Sequence, residues 1–227
     1  MFDELNTDRY DTDKCQSQHY LDNYSEYFSS LKESNISLLE LGIHKGGSLL
    51  LWRDYFSRGE ISGLDMNPVE IDDPTGRVHI YKGQQHDTSL LDRIAEERAP
   101  KGFDIIIDDC SHIGAFTKIS FWHLFDNHLK NGGIYTIEDW GTGYWDQWID
   151  GKQYTPPDKT DSELTVEKLQ NQRFPSHDFG MVGFVKELID ECGMSDLTFP
   201  ERGLPPHRPS KFKSMKVTLG HVIIVKA

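Results

Sequence analysis

Only three cysteines occur in the 227 residues, at Cys15, Cys110 and Cys192. An odd and widely spaced set forms neither a disulfide framework nor a CxxC zinc site, and a reducing cytoplasm is the simple reading. No apolar run approaches the length needed to span a bilayer. The opening MFDELNTDRYDTDK is acidic and lacks an apolar core, so no secretion signal is expected. Positive charge is scarce as well. Lys and Arg number 24 against 37 Asp and Glu, giving a formal net charge of −13. Such a surface repels phosphate backbones and anionic lipid, which argues against nucleic-acid and membrane partners and suits a neutral or cationic small molecule. Internal repeats are missing, and so is the GxGxxG turn of dinucleotide-binding proteins.

What is present suffices for a core. Hydrophobic residues make up 37% and aromatics 11%, and the length fits one domain over 1–227 carrying an insertion. Residues 17–33 repeat Tyr20, Leu21, Tyr24, Tyr27, Phe28 and Leu31 at helical spacing, within an N-terminal helical cap over 1–35. Buried strands are predicted at 36–42, 60–66, 77–83, 103–109, 132–139 and 220–227. Helices are predicted between them, at 87–97, 113–129 and 177–192 among others. Strands alternating with helices imply a doubly wound α/β domain with a mostly parallel sheet covered on both faces. Residues 140–175 break this rhythm with Trp140, Tyr144, Trp145, Trp148 and Tyr154, and are too long for an ordinary connector. They read as a lid or substrate insertion, whose aromatic rings either pack the insertion or stack on sugar faces.

Open α/β sheets bind ligands at the carboxyl ends of their strands. The first strand ends in LLELGIHKGGS, with Gly42, Gly46 and Gly47 at the turn and Glu40 at the same edge. A carboxylate there would repel a pyrophosphate but would suit a ligand with an ammonium and a sulfonium, which points to S-adenosylmethionine over NAD. Asp65 ends the second strand and is placed to take two ribose hydroxyls.

These segments resemble the class I methyltransferases, and more narrowly the macrocin and mycinamicin type of sugar O-methyltransferase. The resemblance runs through YDTDK (10–14), LLELGIHKGGSLLLWRDYF (38–56), ISGLDM (61–66), FDIIIDDCSH (103–112) and GGIYTIED (132–139). It implies a Rossmann-like seven-stranded sheet and a cofactor site that includes Glu40, Gly42, Gly46, Ser48 and Asp65. Past the third strand, where adenine rests in that fold, Gln85 and Asp87 match the family while Gln84 departs from it. Asp87 serves either the cofactor or only a helix N-terminus. YDTDK is either an exposed turn or the segment that folds over the cofactor in that family.

FDIIIDDCSH explains itself on the same terms. Three isoleucines anchor a strand, and polar residues begin where the strand emerges. Asp109 and His112 lie just past it, and Glu138 and Asp139 lie past the next strand. Carboxylates brought together at one edge repel unless a cation sits among them, and hard oxygen ligands suit Mg²⁺. In the macrocin-type family the matching residues are ascribed these roles: Asp109, Glu138 and Asp139 hold the metal, and His112 is the base. Asp108 points the other way along the strand and is left out of the set.

The expectation is therefore a Mg²⁺- and S-adenosylmethionine-dependent O-methyltransferase of a sugar or glycosylated natural product, in an antibiotic-type pathway. A catechol-like phenol is the rival acceptor. An NAD-dependent nucleotide-sugar oxidoreductase is the rival class, and it would need the missing GxGxxG and a Tyr-xxx-Lys pair. A non-catalytic binding module would show decay of the candidate ligands, which are all present. Homo-oligomer formation is left open.

Overall fold

The computed structural model describes residue 2, residues 5–153 and residues 179–227. The strands are β1 Ser37–Leu41, β2 Glu60–Asp65, β3 Val78–Lys82, β4 Phe103–Asp108, β5 Leu129–Glu138, β6 Phe212–Val217 and β7 His221–Lys226. The principal helices are α1 Gln18–Phe28, α2 Gly47–Tyr55, α3 Thr88–Arg98, α4 Gly114–Asn127 and α5 Gly180–Cys192. One sheet contains all seven strands in the order β3-β2-β1-β4-β5-β7-β6. Strands β1 to β5 pair in parallel, and β7 runs antiparallel between β5 and β6. The doubly wound, mostly parallel sheet expected from the sequence is the one observed.

Two departures have physical causes. β6 is absent from the sequence reading because it is an edge strand with Lys213 and Lys216 and little burial, the pattern that blunts an exposed edge. β5 begins at Leu129 rather than at residue 132: Leu129 pairs with Phe103, and an irregularity separates that pair from the regular ladder that starts at Ile105 and Ile134. The expected insertion is described only as far as residue 153. The rest of 140–175, with Tyr154, lies outside the described residues, as does the start of the helix predicted at 177–192. Among the described residues no helix is long and apolar enough to cross a membrane.

Burial follows the two-residue period of strands. Leu38, Ile105, Ile107 and Ile134 face a core completed by Tyr24 and Phe28 of α1 and Trp52 and Tyr55 of α2. Leu39, Ile106, Tyr135 and Ile137 face the opposite core, with Leu91 and Ile94 of α3, Phe121 and Phe125 of α4 and Leu188 of α5. The strand order reverses between β1 and β4, so the loops after β1 and β4 part there and leave a crevice at the carboxyl edge.

The β2–β3 connection is pinned by Asp73. Its carboxylate accepts from Val78 N at 2.9 Å, from Thr75 Oγ1 at 2.6 Å and from Arg53 of α2 at 3.2 Å. Burial opposes the charge, but these donors outweigh it and hold the pKa at about 2, below the ordinary 3.8. The lowered pKa makes this contribution fully present above 3.8 and lost as pH falls through about 2. Asp73→Asn is therefore expected to narrow its stability deficit by about 2 kcal/mol on going from neutral pH to that acid limit. Urea unfolding of both proteins across this range checks it, and a deficit independent of pH would rule the account out.

Candidate active site

The two-residue period sorts the candidate carboxylates. Glu40, Asp109 and Glu138 share the sheet face of Leu38, Ile107 and Ile134, whereas Asp108 shares the face of Ile106. Asp108 is buried there and bonded to Gln85, Ser120 and Tyr135. Burial pushes its pKa up to about 6 against those hydrogen bonds.

The cation among the other three carboxylates is Lys14, from the YDTDK segment. Its ammonium is 2.5 Å from Asp109 Oδ2 and 3.2 Å from both Glu40 Oε1 and Glu138 Oε1. Thr12 opens the single helical turn Asp13–Gln16 and accepts from Lys14 N, which aims the lysine inward. Burial works against the Lys14 charge, but Asp109, Glu138 and Glu40 outweigh it and raise its pKa well above 10.5. Burial also works against the Glu138 charge, and Lys14, His221 and Tyr24 overcome it, holding Glu138 at about 2. Glu40 is pushed up by burial despite Lys14 and Ser48. Asp109 is pushed up by burial and by Glu138 against the pull of Lys14. Two tyrosines of α1 complete the frame: Tyr20 donates to Asp139 and Tyr24 to Glu138.

The crevice itself holds about 640 Å³, within the range of small-molecule sites. Its walls come from the ends of β1 (Gly42, His44), β2 (Asp65, Asn67), β4 (Asp109, His112) and β5 (Asp139), from the Asp11–Lys14 segment, and from Trp148. Asp109, His112 and Asp139 offer ligand atoms within 4.8 Å of one another, and His112 Nε2 is 3.9 Å from Asp109 Oδ1. Glu138 joins a second set, with Glu40 and Asp109 around Lys14. Asp109 thus bridges a cavity-facing cluster and a buried one. Trp148 stands edge-on to the His112 ring at 5.0 Å between centroids. Burial lowers the His112 pKa although Asp139 and Glu138 oppose it. Four described residues other than glycine have positive φ, and three of them, His44, His112 and Asp139, line this cavity. Backbone strain of that kind concentrates at functional sites.

The candidate cofactor residues divide. Asp65 faces the cavity and accepts from the backbone N–H groups of Ile43, His44 and Asn67. Gly42 lines the cavity at φ +81°, and a Cβ there would lie 2.1 Å from the Asp109 carbonyl oxygen, so glycine is required for β1 and β4 to meet. Ser48 lines the cavity and donates to Glu40 at 2.7 Å. Glu40 itself is fully buried and also accepts from Trp52, so its ion partner is Lys14. Gly46, at φ +84°, packs on Ile71 as α2 begins. Gln85 is buried, donating to Asp108 and accepting from Ser111 N. Asp87 accepts from Leu90 N as the N-cap of α3. Gly46, Gln85 and Asp87 support the loops around the crevice and are not among its lining residues.

The wall that carries Trp148 is tied down by Asp150. One carboxylate oxygen of this buried residue accepts from Gly114 N and from Met181 N, both at 2.7 Å, at the first turns of α4 and α5.

No protein-family model matches the chain. Mycinamicin VI 2''-O-methyltransferase of Micromonospora griseorubida is 33% identical over 228 residues, covering 91% of this chain and 55% of that protein. Demethylmacrocin O-methyltransferase of Streptomyces fradiae is 33% identical over 210 residues, covering 87% and 52%. The MycE methyltransferase of the mycinamycin pathway, solved with Mg and SAH, matches at a TM-score of 0.73 and 29% identity, covering 97% of this chain and 53% of its own. The chain is a relative of the macrocin- and mycinamicin-type sugar O-methyltransferases. It spans about half the length of the curated relatives it matches.

The sequence marks the carboxylates at strand ends but not their internal partners, Lys14, Tyr20, Tyr24 and His221. His221 is fully buried, accepts from Asn23 at Nδ1 and points Nε2 at Glu138 from 3.9 Å. Lys14 was visible only as part of YDTDK, since nothing local marks a lysine for burial. The donor set fits a divalent ion. Three carboxylates (Glu40, Asp109 and Glu138) share one lysine, and Asp109 and Asp139 face the cavity with oxygen donors.

Proposed function

We propose that the chain is an O-methyltransferase that uses S-adenosylmethionine and Mg²⁺ to methylate a hydroxyl of a sugar or glycosylated natural product. The observation that carries this reading is the Asp109–His112–Asp139 cluster, opening on the same crevice as Asp65. The relatives named above support the acceptor class, and MycE has been solved with Mg, SAH and mycinamycin VI.

Asp65, at the end of β2, would take the ribose hydroxyls, and Gly42 leaves room beside it. Asp109 and Asp139 would hold Mg²⁺ at the cavity wall, with Glu138 behind them. The chemistry a bound Mg²⁺ supplies is Lewis acidity, which lowers the pKa of an acceptor hydroxyl. S-adenosylmethionine supplies the electrophile, a sulfonium methyl whose bonding pair stays on sulfur. His112 receives the hydroxyl proton at Nε2 as the oxygen–carbon bond forms. Trp148 closes over the His112 ring and restricts water there. Lys14, Tyr20 and Tyr24 fix the carboxylates in place, so the site is organised before ligands arrive.

EDTA is expected to abolish methyl transfer from S-adenosylmethionine to a panel of glycosides, and Mg²⁺ to restore it. In thermal denaturation S-adenosylhomocysteine is expected to raise the melting temperature while NAD leaves it unchanged. Turnover that survives EDTA would remove the metal from the mechanism. Stabilisation by NAD alone would replace the whole reading with an oxidoreductase, and transfer confined to catechols would move the acceptor class.

A further inference from the structure

A second convergence of ligating side chains lies at the opposite edge of the sheet. Asp92 is on α3, His123 is near the C-terminal end of α4, and His128 follows that helix immediately before β5. β4 and β5 are parallel, so the start of β5 and the end of β4 lie at opposite edges, and this cluster is remote from Asp109. Nε2 of His123 is 2.7 Å and Nε2 of His128 is 2.6 Å from the same oxygen, Oδ1 of Asp92. All three ligand atoms lie within 4.8 Å of one another. The two imidazoles are mostly buried at 19% exposure and stand 5.4 Å apart, whereas Asp92 is 46% exposed. Two fixed nitrogens and one adjustable carboxylate thus meet where solvent has access.

We propose that Asp92, His123 and His128 bind a divalent transition ion of the zinc type, in a site that ties α3 to α4 and is independent of methyl transfer. Two imidazoles and a carboxylate suit Zn²⁺, Co²⁺ or Ni²⁺, whereas Mg²⁺ and Ca²⁺ want an all-oxygen shell. Tetrahedral bonds of about 2.0–2.1 Å require donor atoms about 3.3 Å apart. Asp92 Oδ1 now stands closer than that to both nitrogens because it accepts from both rings. Opening the set therefore needs Asp92 to withdraw by less than about 1 Å, which its exposed position allows. Each neutral imidazole carries its proton to Nδ1 as Nε2 turns its lone pair to the ion, so no net proton need be lost. The C-terminal end of α4 adds a favourable field for a cation. A hollow of about 380 Å³, bounded by Ala95, Ala99, Asn127 and His128, adjoins the cluster and has room for a water as fourth ligand.

The test uses the EDTA-stripped 227-residue chain, titrated with Co²⁺ by visible absorption and with Zn²⁺ by calorimetry. Three proteins are compared: wild type, His123→Gln/His128→Gln, and Asp109→Asn/Asp139→Asn, which removes the cavity-facing carboxylates. Tetrahedral Co²⁺ bands and a Zn²⁺-dependent rise in melting temperature are expected in wild type and in the aspartate variant. In the histidine variant both are expected to vanish, with affinity at least about tenfold weaker, while methyl transfer is unchanged. Should the histidine variant melt early in EDTA, Asp92→Asn replaces it, since that residue is half exposed. Equal binding in wild type and the histidine-cluster variants, or no tetrahedral Co²⁺ in wild type, overturns the proposal and leaves the cluster a hydrogen-bonded contact between two helices.

Discussion

Turnover by His112→Asn is expected to fall by about 10²–10⁴-fold, the usual contribution of a positioned general base. Affinity for S-adenosylhomocysteine is expected to change little. Asparagine is the informative replacement because residue 112 has φ +52°, a left-handed conformation that asparagine tolerates better than alanine does. The backbone of the crevice is therefore kept while the proton acceptor is removed. Single-turnover methyl transfer with saturating cofactor, together with calorimetry of S-adenosylhomocysteine, separates the two effects. Near-normal turnover would hand the base role to another group. Equal losses in turnover and cofactor binding would make His112 a structural part of the crevice.

Lys14→Met is expected to destabilise the fold by about 3–5 kcal/mol, the range for removing one partner of a buried ion pair. Methionine preserves most of the volume, so the loss reads the charge. Without the ammonium, Glu40 and Glu138, both almost fully buried, face Asp109 without the cation that all three share. Excess Mg²⁺ is expected to recover part of the loss, since an ion that binds only the folded chain stabilises it. Urea denaturation with and without Mg²⁺ measures both quantities. A variant as stable as wild type would mean that the carboxylates do not depend on this lysine.

The fold was legible because its signals are local and repeated. Leu38–Leu39 and Ile105–Ile107 are runs buried on both faces, as parallel central strands require, and Asp87 marked the start of α3 within a residue. β6 was not legible, because an edge strand with two lysines and few buried side chains resembles a loop. Among the candidate site residues, Asp109, His112 and Asp139 follow strand ends, and the fold brings those strand ends together at the crevice. The partners of those carboxylates were hidden. Lys14 lies 95 positions from Asp109 and Tyr24 lies 114 from Glu138, and no spacing rule reaches so far. Gly46, Gln85 and Asp87 sit near the crevice in sequence, yet packing turns them to supporting contacts that spacing alone does not distinguish from ligand contacts.

Asp150 has a practical consequence for anyone wishing to alter which acceptor is taken. The stretch bearing Trp145 and Trp148 invites exchange with the corresponding stretch of a related protein. Its anchor, however, serves the first turns of two core helices at once. A graft that drops this aspartate would loosen the scaffold as well as change the pocket, and its failure would say nothing about acceptor choice. A chimera that retains it keeps those two questions separate.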